Sequence, residues 1–432
     1  VRALIVEPHA DGLLDLAIRG KKHGHDIKYW CRDFDAQKCP VGRGLVDRVP
    51  DWRSLARRVD LVILGSLGYA QREFDQLKAE GIPVIGAPGL VGEWELNRLV
   101  GMQEFKRAGI PVPPYRQCTN YDEAIRLAAE REDGCAIKPC GDVTDKSLSF
   151  VAKTPREAVW RLQRWKRQGK VFPQGFILQD LVKGVEFAVG GWIGPGGFAS
   201  GWEENFEEKR LFAGGVGPNC GEAGTVMRLV TKSKLAEKVL SPFEDRLVSL
   251  GYVGNVDVNC IVDDDGNPWP LEFTCRFGYP AFNLELALHR GDPIEFLAGL
   301  AAGKPPKSRA LNEIAVGVVM ALPPYPYREN TEETVGAPIW GVTPGIEDNL
   351  HFCMAQRGQW DGEPTLMTAG SYTLVSTGTG ESVVEARTKA YRVLDRLTIP
   401  ASPFFRNDIG SRLRSQLDKL QANGYATGMR YA

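Results

Sequence analysis

Lys138 closes the short apolar run Cys135-Ala136-Ile137 and is followed at once by Pro139-Cys140-Gly141. A lysine leaving a buried strand into a glycine-containing loop is placed to meet a phosphate, and Lys146 stands across the same loop. Taken singly, each reads better as a solvated surface lysine. Further on, Phe176-Ile177-Leu178-Gln179-Asp180-Leu181-Val182-Lys183-Gly184-Val185-Glu186 reads as two strands joined by a hinge. The backbone of such a hinge, at Gln179, Asp180, Leu181 and Val182, can offer N–H and C=O groups to an adenine edge, and a carboxylate just past it, Glu186, can accept both hydroxyls of a ribose. Asp257 on one strand faces Glu272 on the next across a hairpin, with Asn259 and Thr274 on the same faces by alternation. Oxygens so placed suit a Mg²⁺ that holds nucleotide phosphates. A pair of exposed sheet carboxylates is the plain alternative.

These groups need elements to hold them. The first hundred residues alternate short apolar strands (3–7, 26–31, 61–64 and 83–86) with helical stretches (13–22, 51–59 and 69–80). That order predicts a parallel sheet with covering helices. Ligands bind at the carboxyl ends of such strands, so segments 7–12 and 65–69 are candidates, although neither has the GxGxxG spacing and plain turns satisfy both. His9, at the first strand end, can touch a substrate or cap the following helix. The pattern changes near residue 96, with a helix at 96–108 and then a small α+β unit containing helices 121–131 and 155–168. A helix at 232–250 precedes a hairpin, 255–262 with 268–273, turning on Asp263-Asp264-Asp265-Gly266-Asn267. Its three aspartates read as a solvated turn rather than a metal site. Gly303-Lys304-Pro305-Pro306 reads as a linker to a third, mostly β domain that includes a helix at 382–397. The expected division is 1–98, Rossmann-like; 99–306, with a small lid at about 118–184; and 307–432.

A chain of 432 residues exceeds one core, and a prior of about 150 residues per domain suggests roughly three. With Lys+Arg 53 against Asp+Glu 54, the net charge of −1 supplies no overall attraction for polyanions. The basic run Arg161, Arg164, Lys166, Arg167 and Lys170 reads as a solvated helix face rather than a nucleic-acid contact. No apolar run approaches the roughly 18 residues of a membrane span, and Val1-Arg2-Ala3-Leu4-Ile5-Val6 reads as a strand rather than a secretion signal. The 9 cysteines show no CxxC and no zinc-type spacing, which suits reduced, buried thiols and a cytoplasmic location.

The lysine strand, second lysine, carboxylate-ended hinge and acidic hairpin occur in the chain order of ATP-grasp enzymes. At Leu271-Glu272-Phe273-Thr274-Cys275-Arg276-Phe277-Gly278 the likeness becomes specific: the segment resembles the EFNCRFGDPE signature of the glycinamide ribonucleotide synthetase (phosphoribosylamine–glycine ligase) family. Lys209-Arg210 followed by Gly217-Pro218-Asn219-Cys220-Gly221 resembles its KR…GPNTGG loop. Residues 315–321 resemble its SLGVVMAA strand, and Phe405-Arg406-Asn407-Asp408-Ile409-Gly410 its CRKDIG ending. The resemblance spans nearly the whole chain. It implies an α/β and α+β architecture: an ATP-grasp fold with a Rossmann-like N-terminal domain and a small C-terminal β-rich domain. It also implies a ligase that phosphorylates an amino-acid carboxylate with ATP and passes the acyl group to an amine. Lys138 and Lys146 would then neutralise phosphate charge, and Mg²⁺ or Mn²⁺ would sit on Glu272, Asp257 and Thr274. Glu186 would hold the ribose, and Arg276 would face the carboxylate or the departing phosphate. Lys209, Arg210 and Asn219 would belong to a loop that closes over the reacting groups. The implied partners are an amino acid and an amine, with no membrane or nucleic acid, in a monomer or small homo-oligomer.

Departures from the family gather on the acceptor side. Its GxGGREHA turn is Glu7-Pro8-His9-Ala10-Asp11-Gly12 here, its GPExPL turn is Gly65-Ser66-Leu67-Gly68-Tyr69-Ala70, its DPE is Tyr279-Pro280-Ala281, and its late GGR is Ala369-Gly370-Ser371. Lost glycine amides and a lost arginine weaken the fit to a sugar phosphate. Tyr279 in place of Asp removes a partner for an amino-acid ammonium. On the nucleotide side, Thr274 replaces a metal-side Asn, and the 141–148 loop has fewer glycines. The rival readings are an ATP-grasp ligase for a different amino acid and amine, and a non-catalytic ATP-binding protein.

Overall fold

Strand Arg2–Glu7 is buried along nearly its whole length, as a strand covered on both faces must be. It lies at the middle of a five-stranded parallel sheet in the order Asp47–Arg48, Asp26–Cys31, Arg2–Glu7, Leu61–Leu64, Val84–Ile85. In this computed structural model, residues 1–9, 12–32, 39–86, 89–141, 148–305, 312–327 and 332–432 are described. Lys146 with its loop, and Ala10 and Asp11 of the first turn, lie outside the described residues. Helices Leu14–Lys22 and Gln71–Ala79 follow the first and fourth strands of the chain. The helix expected at 51–59 is instead a run of turns. The Asp51 carboxylate accepts the N–H groups of Arg53 and Ser54, both at 3.1 Å, and the Trp52 ring stacks on Phe74 at 4.8 Å. Local side-chain capping and that packing replace the helical ladder.

The unit expected as a lid contains a four-stranded antiparallel sheet in the order Tyr115–Cys118, Phe176–Asp180, Cys135–Pro139, Phe150–Ala152. Helices Tyr121–Ala129 and Pro155–Arg167 begin at Asn120 and Thr154, whose side chains accept from the third N–H of each helix. Its separate core includes Leu162, Trp165 and Phe176.

One long antiparallel sheet carries the rest, in the order Pro268–Thr274, Gly254–Val262, Val185–Gly194, Trp202–Glu207, Gly224–Val230, Ile314–Ala321, Tyr372–Gly380, Leu350–Phe352. The last three strands come from beyond residue 306, so this sheet runs straight through the expected linker, and one hydrophobic core spans both sides of it. A three-stranded sheet, Val335–Pro338, Glu363–Ala369 and Ala355–Trp360, accompanies it. The helix expected at 232–250 breaks into Lys234–Val239 and Glu244–Ser249 around a 3₁₀ turn at Ser241–Phe243. Pro242 has no N–H to continue the ladder. The Asp263 turn is structural: its carboxylate accepts from the Asn267 N–H at 2.8 Å and from Trp269 Nε1 at 2.8 Å.

Candidate active site

Alternation along the central strands turns Glu186, Asn205, Glu207, Asp257, Asn259, Glu272 and Thr274 onto one face of the sheet. Lys209, just past Trp202–Glu207, places its ammonium among three of these carboxylates: Glu186 at 2.9 Å, Glu207 at 3.2 Å and Glu272 at 3.3 Å. Arg98, at the start of helix Arg98–Arg107, closes the other side of Glu272 at 2.9 Å and also donates to the Leu271 carbonyl at 3.1 Å. Burial opposes each of these charges, and the partners decide the outcome. Glu186, Glu207 and Glu272 hold the Lys209 ammonium well above its ordinary value against its burial. Lys209, Arg98 and Lys138 hold Glu272 well below its own. Glu207 is pushed up, first by burial and then by Glu186 and Glu272 beside it. Lys138, at the end of lid strand Cys135–Pro139, is pulled down to about 7 by burial, with Arg98 and Lys209 adding to the effect. The structure therefore brings Lys138, Glu186, Lys209 and Glu272 together from the lid and the central sheet.

The hairpin register corrects one expectation. Asn259, not Asp257, lies opposite Glu272, while Asp257 lies opposite Thr274, so Asp257 and Glu272 are diagonal neighbours. Strand Gly254–Val262 is short by one residue against its partner between Asn259 and Cys260, and the register shifts at that irregularity. Asp257 accepts from Asn205 Nδ2 at 2.9 Å, one of three amide–carboxylate pairs that reach across Val185–Gly194. The others are Asn255 with Glu203 and Asn259 with Glu207, each at 2.9 Å. They meet above Ala188 and Gly190, where little side chain intervenes; a Cβ on Gly190 would lie 2.6 Å from Glu203 Oε2 and 3.3 Å from Asp257 Oδ2.

The other expected residues fall as follows. Gln179 is buried, with its Nε2 unpartnered among the described residues, and Asp180 pairs with Arg131. Leu181 and Val182 have left the strand ladder, so their backbone groups stand outside the sheet. Arg210 and Asn219 are cross-strand partners in the hairpin of Arg210–Phe212 and Val216–Asn219, and Arg210 Nη1 is spent on the Gly217 carbonyl at 2.9 Å. The segment near the C-terminus pins this hairpin. Arg406 bonds Glu208 and the Arg210 carbonyl, both at 2.9 Å, Asp408 accepts the Gly214 N–H at 2.8 Å, and Arg412 donates to the Glu207 carbonyl at 2.9 Å. Arg276 donates to Glu95 at 3.2 Å and to the Phe277 carbonyl at 2.8 Å.

Sequence reasoning missed Arg98, Glu95, Glu207 and Glu222. A carboxylate two residues before Lys209, on the same strand face, was the available signal for Glu207. Glu222 stands at the last glycine of the GPNTGG-like loop, and burial first, then Glu207 and Asp257, push its carboxyl well up. At the parallel sheet, the Glu7 carboxylate accepts the Gly12 and Leu13 N–H groups at 2.7 and 2.8 Å and the Tyr29 hydroxyl at 2.5 Å. The Tyr279 ring lies against Gly12, where an added Cβ would meet it at 2.8 Å, and its hydroxyl faces Gly65. A cavity of about 720 Å³ lies not at the lysine cluster but farther along the same sheet face, where Trp192, Glu203, Phe282, Glu285 and Phe296 line it. There Trp192 Nε1 donates to Glu285 at 2.6 Å, and burial pushes Glu203 up to about 7.

The donor set fits a hard cation. Glu207 and Glu272 converge on a point that the Lys209 ammonium now neutralises, and Asn259 Oδ1 beside them has no partner among the described residues. No group of three or more His, Cys, Asp or Glu side chains among those residues is arranged to hold a metal alone, so a Mg²⁺ here would draw further ligands from phosphate and water.

Residues 315–412 match the family described as phosphoribosylglycinamide synthetase, C domain. Over 409 residues the chain is 29% identical to a phosphoribosylamine–glycine ligase of Phenylobacterium zucineum, covering 87% of this chain and 90% of that one. Among solved structures it is similar to phosphoribosylamine–glycine ligase from Thermotoga maritima, with a TM-score of 0.72 at 18% identity over 95% of this chain and 100% of the other. It is also similar to the biotin carboxylase domain of 2-oxoglutarate carboxylase from Hydrogenobacter thermophilus, in a complex with MgADP, ADP and bicarbonate (TM-score 0.60, 14% identity, 92% and 90% covered). No helix among the described residues is long and apolar enough to cross a membrane. The chain has the ATP-grasp fold and is similar over most of its length to phosphoribosylamine–glycine ligases.

Proposed function

We propose that this protein is an ATP-dependent carboxylate–amine ligase that joins glycine to 5-phosphoribosylamine, releasing ADP and phosphate, as the names of its relatives indicate. The observation that carries the reading is the cluster of Lys138, Lys209 and Arg98 against Glu186, Glu207 and Glu272, between lid and central sheet. The backbone at 179–182 would take the adenine edge and Glu186 the ribose hydroxyls. Lys138 would face the phosphates. A carboxylate oxygen attacks the γ-phosphorus and ADP departs; Lys138, Lys209 and Arg98 offset the charge spread over the transferring group. The amine nitrogen then attacks the acyl phosphate carbon, phosphate leaves, and the nitrogen loses a proton. Mg²⁺ or Mn²⁺, held by Glu272 and Glu207 with Thr274 beside them, would draw phosphate oxygens together and share their charge. The Lys209–Asn219 hairpin, pinned by Arg406 and Asp408, would exclude water from the acyl phosphate. The protein would act on small molecules in the cytoplasm, as a monomer or small homo-oligomer.

The test is ADP release and glycine hydroxamate formation with MgATP and hydroxylamine. Wild type should form both, and Glu272→Gln should lose at least about a hundredfold in rate. A Glu272→Gln enzyme of wild-type rate would sink the assignment of that cluster. One observation favours a second reading, a ligase for a different amine. The Gly12 and Leu13 amides that a sugar phosphate could use are already taken by the Glu7 carboxylate, and Tyr279 fills the space between Gly12 and Gly65. Hydroxamate with glycine but no amide product with phosphoribosylamine would select that reading.

A further inference from the structure

Next to the lysine cluster the sheet face changes character. Asp257 Oδ1, Asn205 Oδ1, Asn259 Oδ1 and Glu222 Oε1 are buried atoms without a hydrogen-bond partner among the described residues. Asp257, Asn205 and Asn259 are each more than nine-tenths buried. Amide oxygens and ionised carboxylate oxygens are acceptors only, and a buried acceptor without a donor costs about 1–3 kcal/mol. The nearby cations do not fill the deficit. Lys209 has three N–H groups and three carboxylates already around it. Arg276, one of the charges acting on Glu222, gives Nε to Glu95 and Nη1 to the Phe277 carbonyl. Backbone bonds from the Cys220 N–H to the Lys209 carbonyl at 3.2 Å and from the Ala223 N–H to the Glu208 carbonyl at 2.8 Å set Glu222 beside the end of the strand that carries Asn205 and Glu207, and Asp257 and Arg276 are among the charges acting on it. What these acceptors lack is a compact group made of N–H donors with a positive charge.

We propose that Glu222 and Asp257, with the Asn205 amide oxygen, hold the ammonium of a zwitterionic α-amino acid whose carboxylate faces Arg276, so that this chain selects its carboxylate substrate by the amine next to the reacting carbon. The proposal rests on the ligase reading and deepens it. An ammonium supplies three donors to three acceptors. Tyr279 stands where the related motif has an aspartate, and Glu222 stands where it has a glycine, so the negative charge for the ammonium comes from a different loop in this protein.

The experiment uses the full-length protein with MgATP and hydroxylamine, comparing glycine, alanine and aspartate with acetate and propionate, which lack the ammonium. Wild type should prefer the amino acids by about a hundredfold, the range expected for hydrogen bonds to a charged group. Glu222→Gln and Asp257→Asn keep shape and remove charge. Each should raise KM for the amino acid about tenfold or more, leave KM for ATP within about twofold, and narrow the preference over acetate. Unchanged amino-acid KM in both variants overturns the proposal. So does a rise in the Mg²⁺ requirement in place of the amino-acid KM, which would assign these oxygens to the metal. If wild type releases no ADP with any carboxylate, the ligase reading fails by itself. Calorimetric titration of glycine then still decides the ammonium site: heat lost in both variants supports it, and no heat with wild type or equal heat in all three proteins overturns it.

Discussion

Lys138 offers the sharpest test of the nucleotide cluster. Its ammonium is pulled from 10.5 down to about 7 by burial, with Arg98 and Lys209 adding to that effect. A group whose folded value is depressed in this way binds fewer protons than the unfolded chain between those two values, so it weakens the fold at neutral pH and the penalty fades as pH rises towards 10.5. At pH 7 the linkage amounts to about 4 kcal/mol. Lys138→Met should therefore stabilise the ATP-free protein at pH 7 by up to that amount and gain little at pH 10. Phosphate oxygens beside the ammonium would restore its ordinary value, so ATP should bring a proton with it. With a free value of about 7, uptake is about 1 proton per ATP at pH 8.5 and about 0.1 at pH 6, and ATP affinity falls about fiftyfold from pH 7 to 9. Calorimetry of ATP binding in two buffers of different ionisation enthalpy reads the uptake directly. No uptake at pH 8.5 in wild type, or the same uptake in Lys138→Met, would refute the placement of this lysine at the phosphates.

Lys209→Met leaves Glu186, Glu207 and Glu272 without their shared cation, and removing one partner of a buried network costs about 3–5 kcal/mol. Because Glu272 is 36% exposed and Lys209 29% exposed, we expect the lower end of that range in a denaturant melt, with partial recovery in Lys209→Met/Glu207→Gln. Asp15 is opposed by burial but held down to about 2 by Arg19 and His351. It contributes stability above its ordinary 3.8 that disappears as pH falls through about 2, so Asp15→Asn should cost about 2 kcal/mol at pH 7 and nothing near pH 1, read as converging melting curves. Burial also lowers His351, leaving it neutral at pH 7, so Arg19 at 2.7 Å carries the charge pairing there. Gly190→Val would drive a side chain into the space where Glu203 and Asp257 meet their amides, so it should lose about 1–3 kcal/mol of stability and raise the amino-acid KM in the hydroxamate assay.

The lysine strand, the hinge and the hairpin turn were legible because each is local: strand ends, a carboxylate just past a bend, an Asp-Gly turn. The partners of those residues were not. Arg98 reaches Glu272 from a helix more than a hundred positions away, and Lys209 meets Glu186 and Glu272 only because antiparallel pairing brings four strands together. Register is the step that alternation alone leaves open: continuing the turn-side pairs Val262 with Pro268 and Cys260 with Pro270 would set Asp257 opposite Phe273, and the irregularity beside Asn259 sets it opposite Thr274 instead. The linker at 303–306 has the composition of a boundary, yet strand Ile314–Ala321 pairs with Gly224–Val230 and carries the same sheet onward. Pro242, by contrast, stood in plain view inside the expected helix and breaks it.

The two ends of this sheet face balance their charges in opposite ways, and that contrast argues for how the substrates sort. At the lid end, three cations, Lys138, Lys209 and Arg98, converge with carboxylates, and one of them, Lys138, is held partly neutral, first by burial and then by the cations beside it. That end asks for an anion. Farther along the same face Asp257 and Glu203, and Glu222 on the loop between Asn219 and Gly224, are pushed up, first by burial, and oxygens of Asp257 and Glu222 lack donors among the described residues. That end asks for a cation. A polyphosphate and an ammonium would therefore settle at opposite ends of one face, and the carboxylate of an amino acid held by its ammonium would point back towards the phosphates. Arg276, one of the charges acting on Glu222, lies on the loop just after the Glu272 strand and is held there by Glu95. On the proposed function, the uneven distribution of charge along a single sheet face would itself order the two substrates.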